Sequence, residues 1–269
     1  MESKIKRLIK LTNHPVAVLQ SDECPSDAIQ LKEGKWGCTV ALLAAAAKGK
    51  TAALSDKTTV CVGGRAGLGF QPYPLGWIEY FLSTGSEDSN QNELPSADSK
   101  DASKNELLST GSKNVSHCEH YKKTPEIARR FVSESVNPLV KSFPRDKQYL
   151  LFKPLELTEA SENPLCIVFL ANADQISALA TLANYDTPRI DNVRTLWGAG
   201  CAQTVLYPAT DAEHCYVGLT DPSVRKCIDK DLLSFSIPYR RFLELEEQAE
   251  ESFLTTDTWE KIAARISNA

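Results

Sequence analysis

Two uninterrupted apolar runs, Tyr149-Leu-Leu-Phe152 and Leu165-Cys-Ile-Val-Phe-Leu170, constrain this chain more than any other feature. Each is too short for a buried helix, and neither alternates apolar with polar residues as a half-solvated strand does. Both therefore read as strands buried on two faces. Helical spacing surrounds them: Thr124 to Glu134 with Pro125 in the first turn, and Asp174 to Ala183. Earlier in the chain come a helix over Lys4–Leu11, a strand at Pro15-Val-Ala-Val-Leu-Gln20 and an alanine-rich helix from about Cys38. A strand at Thr51–Ser55, a glycine loop and a helix near Leu75–Leu82 follow. Strands alternating with helices predict an α/β fold, a mixed sheet flanked by helices.

Residues 83–117 break the pattern. Ser, Asn, Asp and Lys dominate them, and so little apolar surface does not offset the entropy of ordering. The stretch reads as a mobile polar insertion in one compact domain, between a first half at 1–82 and a second at 118–269 that ends in helices. With 269 residues, 42% of them hydrophobic, the chain has ample material for one core. A net charge of −5 argues against a nucleic-acid partner. No apolar stretch approaches the roughly 18 residues of a membrane span. The amphipathic start, without an apolar signal region, reads as belonging to a cytoplasmic protein.

The halves resemble one another. Pro15-Val-Ala-Val-Leu19 parallels Pro164-Leu-Cys-Ile-Val-Phe169, and Trp36-Gly-Cys38 parallels Trp197-Gly-Ala-Gly-Cys201. Each cysteine opens a helical pattern, and a short strand ending at Asp56 or Asp221 follows at nearly equal spacing. The chain reads as two related strand–helix–strand halves.

Eight cysteines are present, at 24, 38, 61, 118, 166, 201, 215 and 227. A long chain without a secretory signal has no need of disulfides, so these read as reduced thiols. No C-x-x-C pair occurs, and a metal site would have to be assembled from distant segments. Cys38 and Cys201 at helix starts face unpaired N–H groups, which favours ionisation. Cys61 ends a β-branched run and is followed by Gly63, Gly64, Gly67 and Gly69, which read as an open loop. Against this stands the fact that cysteine is among the most buried residue types. His117-Cys118-Glu119-His120 is rich in ligand types but borders the insertion, where a solvated linker is the plainer reading.

These blocks carry a resemblance. Cys38 opening an alanine-rich helix, Gly49, and Cys61-Val-Gly-Gly64 running to Leu68-Gly-Phe70 resemble the N-terminal part of the family called domain of unknown function 169 (DUF169), the ArCR-like proteins. Gly200-Cys-Ala202, Gly218, Asp221, Arg225 and Leu233-Ser-Phe-Ser-Ile-Pro238 resemble its C-terminal part; the polar insertion departs from it. The resemblance implies an α/β protein of anaerobic bacteria and archaea and no agreed activity.

Three function classes follow. In the first, Cys38, Cys61 and Cys201 hold a metal ion or an iron–sulfur cluster, with Cys118 or His120 as a fourth ligand, in a redox or sulfur-handling enzyme. The second is a metal-free thiol or anion-binding enzyme. There Cys61 is catalytic, and the N–H groups of Gly63, Gly64 and Arg65 cradle a carboxylate or phosphate. No base stands beside Cys61 in sequence, His14 and His214 being remote. The third is a small-molecule binding or sensing protein whose pocket is lined by aromatic residues, Trp36 and Trp197 among them.

Overall fold

The computed structural model describes residues 2–85 and 118–267, and most of the polar insertion expected at 83–117 lies outside them. The chain divides into two compact units, 1–70 with 142–269, and 71–141. The first begins with α1 (Lys4–Leu8), β1 (Val16–Ser21), α2 (Thr39–Ala47), β2 (Ala52–Leu54) and α3 (Val62–Gly67). The second holds α4 (Ile78–Phe81), α5 (Pro125–Arg130), a π-helical turn at Phe131–Val136 and most of α6 (Asn137–Ser142). The first unit then resumes with β3 (Tyr149–Pro154), β4 (Cys166–Ala171), α7 (Ala173–Leu182) and β5 (Val193–Arg194). A π-helical turn at Ala202–Leu206 runs into α8 (Tyr207–Thr210), followed by β6 (Cys215–Gly218) and a 3-10 helix at Pro222–Cys227. Last come β7 (Leu233–Pro238), α9 (Tyr239–Gln248) and α10 (Asp257–Ser267).

One seven-stranded sheet, in the order β2-β3-β1-β4-β7-β6-β5, organises the first unit. Every neighbouring pair is antiparallel except β5 with β6, so the sheet is mixed and the fold is α/β. The predicted apolar runs become β3 and β4, and β4 is buried along its whole length. Strand alternation sorts the two faces. Ala17, Leu19, Ile167, Phe169, Phe235 and Ile237 pack with Ile5, Leu179, Phe242 and Trp259 from α1, α7, α9 and α10. Full burial of such side chains contributes about 1.5–3 kcal/mol each. The opposite face carries Val16, Val18, Cys166, Val168, Ser234 and Ser236. It is covered by α2 and the 202–206 turn, whose Thr204 carbonyl accepts from the Cys166 thiol at 3.7 Å.

Local chemistry sets the ends of the helices. Asn172 and Gln175 form a reciprocal capping box at the start of α7. Gly49, with φ +95°, closes α2 in the left-handed conformation that glycine adopts without strain. In the second unit, buried Glu79 forms an ion pair with Arg129 at 2.6 Å and accepts from Gly76 N–H at 2.8 Å. Asn137 exchanges two hydrogen bonds with the Tyr73 backbone.

The glycine segment corrects the sequence reading: residues 62–67 are helical, not an open loop. Close packing rather than backbone angle explains Gly64 and Gly67, and it is strictest at Gly67, which faces backbone. A Cβ on Gly64 would stand 2.9 Å from the Thr59 methyl, and one on Gly67 would stand 2.6 Å from Cys201 Cβ and Ala202 N. Only Gly69, with φ +71°, takes up the left-handed freedom expected of the run.

Candidate functional site

Cys38 and Cys61 occupy equivalent local positions, each the extended residue that precedes a helix. Cys38 caps α2 (φ −89°, ψ 124°) and Cys61 caps α3 (φ −61°, ψ 121°). Neither makes a capping hydrogen bond through its side chain, so both sulfurs are left for other partners. Both are half-buried. Burial pushes the Cys61 thiol up; the N–H groups of Gly64 and Gly63 face the sulfur and oppose that rise, while Cys38 and Asp221 add to it.

Cys201 lies against α3 at the point where the 202–206 turn begins. It is buried, and its sulfur is 2.9 Å from Thr39 Oγ1, the first residue of α2. The expectation that a helix start would ease its ionisation fails. Burial raises this thiol well above its ordinary range, Cys61, Cys38 and Asp221 raise it further, and only the Thr39 hydroxyl opposes them. Loss of hydration outweighs the partial charge of a short helical turn.

A fourth thiol joins them. Cys227, half-buried at the end of the 3-10 helix, is pushed up to about 11 by burial first, then by the charge and hydrogen bond of Cys38, against a lowering from Lys226. One residue from each cysteine's neighbourhood reinforces this junction, since Lys226 Nζ lies 5.9 Å from the centre of the Trp36 ring. Sequence reading missed Cys227. The available signal was its place just beyond Asp221-Pro-Ser-Val-Arg225, the segment that follows β6 as the Cys61 segment follows β2.

Asp221 ties the second half of the site together. Its carboxylate accepts from Gly200 N–H at 3.2 Å, Ser223 N–H at 3.0 Å and Ser223 Oγ at 3.0 Å. It thereby pins the start of the Cys201 turn to the start of the 3-10 helix. Thr59, wholly buried beside Gly64, has an Oγ1 with no hydrogen-bond partner among the described residues.

The remaining predicted residues divide. Arg65 is turned back on its own segment, donating Nε to the Thr59 carbonyl at 2.7 Å with Asp56 at 3.5 Å. The N–H of Arg65 goes to the Cys61 carbonyl at 2.9 Å, which removes it from the proposed anion cradle. Trp36 is 66% exposed and Trp197 39%, so neither is core, and Trp36 meets Lys226 at the thiol junction. Cys118 and His120 pair with each other at 3.3 Å in the second unit. His14 is held by Glu156 and Lys6, and His214 by Asp211 and Arg189. Among the described residues, no group of three or more His, Cys, Asp or Glu side chains has an arrangement that holds a metal ion.

A cleft of about 500 Å³ beside β1 and β3 is lined by Glu23, Cys24, Lys153 and Glu162 and includes none of the site thiols. No helix among the described residues is long and apolar enough to cross a membrane.

No curated protein and no solved structure matches the chain. Residues 4–248 match the family DUF169, described as uncharacterised ArCR, and the chain belongs to that family.

Proposed function

We propose that this protein carries out thiol chemistry in redox or sulfur handling, at a site made of Cys38, Cys61, Cys201 and Cys227 around Asp221. One observation carries the reading: the four segments that bear these cysteines meet, since Thr39, next to Cys38, bonds the Cys201 sulfur at 2.9 Å, α3, which Cys61 caps, packs on Cys201 through Gly67, and α2 packs on the 3-10 helix that ends at Cys227; the thiols accordingly raise one another. Cys61 is the attacking thiol, half-buried with two backbone N–H groups facing its sulfur. Cys201 is too deeply buried to react first and serves as wall. With a small persulfide as substrate, the Cys61 sulfur takes the outer sulfur atom, the S–S bond of the substrate breaks, and the Cys61 proton passes to the departing thiolate. The products are a Cys61 persulfide and a small thiol.

Strand order supports two related halves within the same proposal. β1 lies beside β4, with β3 and β7 outside them and β2 and β6 beyond, so that Cys38 and Cys201 each precede the third strand of a set. Eight free cysteines suit a reducing, cytoplasmic setting.

The test is anaerobic purification, metal analysis, and treatment of the full chain with glutathione persulfide followed by peptide mapping. The expected result is a gain of about 32 mass units on Cys61 in a metal-poor protein, lost in Cys61→Ser. Absorption near about 400 nm with about four irons per chain would instead establish the iron–sulfur reading of Cys38, Cys61 and Cys201. No modification of any site cysteine would overturn the proposal.

A further inference from the structure

We infer that Cys38 and Cys227 form a redox-active dithiol that closes to a disulfide on meeting a small-molecule disulfide; the inference rests on the thiol reading of the cluster and names its electron acceptor. Three observations meet at this pair. The two cysteines flank one contact, Cys38 lying two residues beyond Trp36 and Cys227 directly after the Lys226 that sits over that ring, although 188 residues of chain separate them (227 − 38 − 1); the influence of Cys38 on the Cys227 thiol agrees with that placement. The segments that carry them are packed together, α2 against the 3-10 helix, and Lys226 sits over the Trp36 ring at 5.9 Å. Both thiols are half-buried, whereas Cys166, Cys201 and Cys215 are buried away from any oxidant.

Local geometry favours closure. Cys38 is an extended N-cap whose sulfur is not engaged in capping α2, so turning it toward Cys227 breaks no helix bond. Cys227 is the last residue of its 3-10 helix, followed by an extended residue, Ile228, with φ −130°. A pair held this way reacts in two exchanges. One thiolate attacks a sulfur of the small disulfide, the S–S bond breaks, and a small thiol leaves with the proton. The partner thiol then attacks the mixed disulfide, forming the Cys38–Cys227 bond and releasing a second small thiol. Two electrons and two protons pass to the small disulfide, which is reduced to two thiols.

The experiment uses the full-length protein, fully reduced, then exposed to oxidised glutathione, digested with trypsin without reductant and analysed by mass spectrometry. Peptides 36–48 and 227–230, the fragments between neighbouring lysines, are expected as one species lighter by two hydrogens than their sum. Cys38→Ser is expected to trap glutathione on Cys227, and Cys227→Ser to trap it on Cys38, an outcome that a purely structural contact does not give. Cys118→Ser is expected to leave the joined peptide unchanged. Stable glutathione on both cysteines of the unmutated protein, or joining of either to Cys61 instead, would overturn the pair. If persulfide marks Cys61 while these peptides stay separate, the dithiol is wrong and the cluster reading stands; if neither reagent modifies a site cysteine, both fall.

Discussion

Gly67 faces Cys201 so closely that a methyl group does not fit between them: a Cβ would lie 2.6 Å from Cys201 Cβ and 2.8 Å from its carbonyl carbon. Backbone atoms of the 202–206 turn cannot rotate aside as a side-chain tip does. Gly67→Ala is therefore expected to cost about 1–3 kcal/mol despite the better helix propensity of alanine. Among its nearest neighbours, Gly64→Ala meets side chains and no backbone atom, the methyls of Thr59 and Thr39 at 2.9 and 3.3 Å and Cys61 Cβ at 3.5 Å. There the propensity gain of up to about 1 kcal/mol offsets most of the strain. Urea unfolding of the two variants tests the contrast; equal midpoints would show that the α3 contact with the turn does not control stability.

Thr39 joins α2 to the same turn through its hydroxyl, 2.9 Å from the Cys201 sulfur. Thr39→Val keeps the shape and removes the only side-chain hydrogen bond at that sulfur among the described residues. A loss of about 0.5–1.5 kcal/mol is expected, with Thr39→Ser close to the parent protein. The Cys201 thiol should move further upward, because the Thr39 hydroxyl is what lowers it. Denaturation curves that superimpose for the valine and parent proteins would remove this bond from the account of the site.

Strands and thiols were legible in the sequence to different depths. β3 and β4 stand out because strands buried on both faces need unbroken apolar runs. Cys38, Cys61 and Cys201 stand out because each lies at an element boundary beside glycine. The helical state of residues 62–67 was hidden, because glycine opposes helix locally and only the close approach of Cys201 and Thr59 explains why glycine is there. Cys227 was harder to see, because its partner is far away in sequence and only its place after Asp221-Pro-Ser-Val-Arg225, matching that of Cys61 after β2, pointed to it. Hydrogen bonding one residue longer than an α-helix, as at Ala202–Leu206, leaves no residue pattern by which to foresee it.

Acid should weaken the first unit through Asp186. The Arg241 guanidinium beside it, with Gln248 Nε2 at 3.1 Å, lowers its carboxyl to about 2 from 3.8. A carboxyl depressed in the folded state stabilises above its unfolded value, and that stability is lost as pH falls through the folded value. The window is therefore pH 4 down to 2, in round figures. The side chains of Asp186 and Arg241 are only 27% and 14% exposed, so the contribution survives screening at about 1–2 kcal/mol. Asp186→Asn should lower stability at neutral pH and flatten the acid limb of the curve. If the difference between variant and parent stays constant from pH 7 to 2, Asp186 is not the titrating group.

Reactivity of Cys227 gives the sharpest reading of the thiol junction. Its pKa of about 11 arises from burial first and then from Cys38, through charge and a shared hydrogen bond. The thiolate is the reacting form, so the rate of alkylation by iodoacetamide is expected to climb about tenfold per pH unit from 7 upward and to level off only near 11. Removing Cys38 takes away two raising influences and leaves the lowering one from Lys226. Cys38→Ala should thus bring the plateau to lower pH and speed the reaction at pH 8, whereas Lys226→Gln should move it the other way. Peptide mapping of 227–230 against time at several pH values supplies the rates. A Cys227 profile unmoved by Cys38→Ala would mean that the two sulfurs do not share a hydrogen bond in solution.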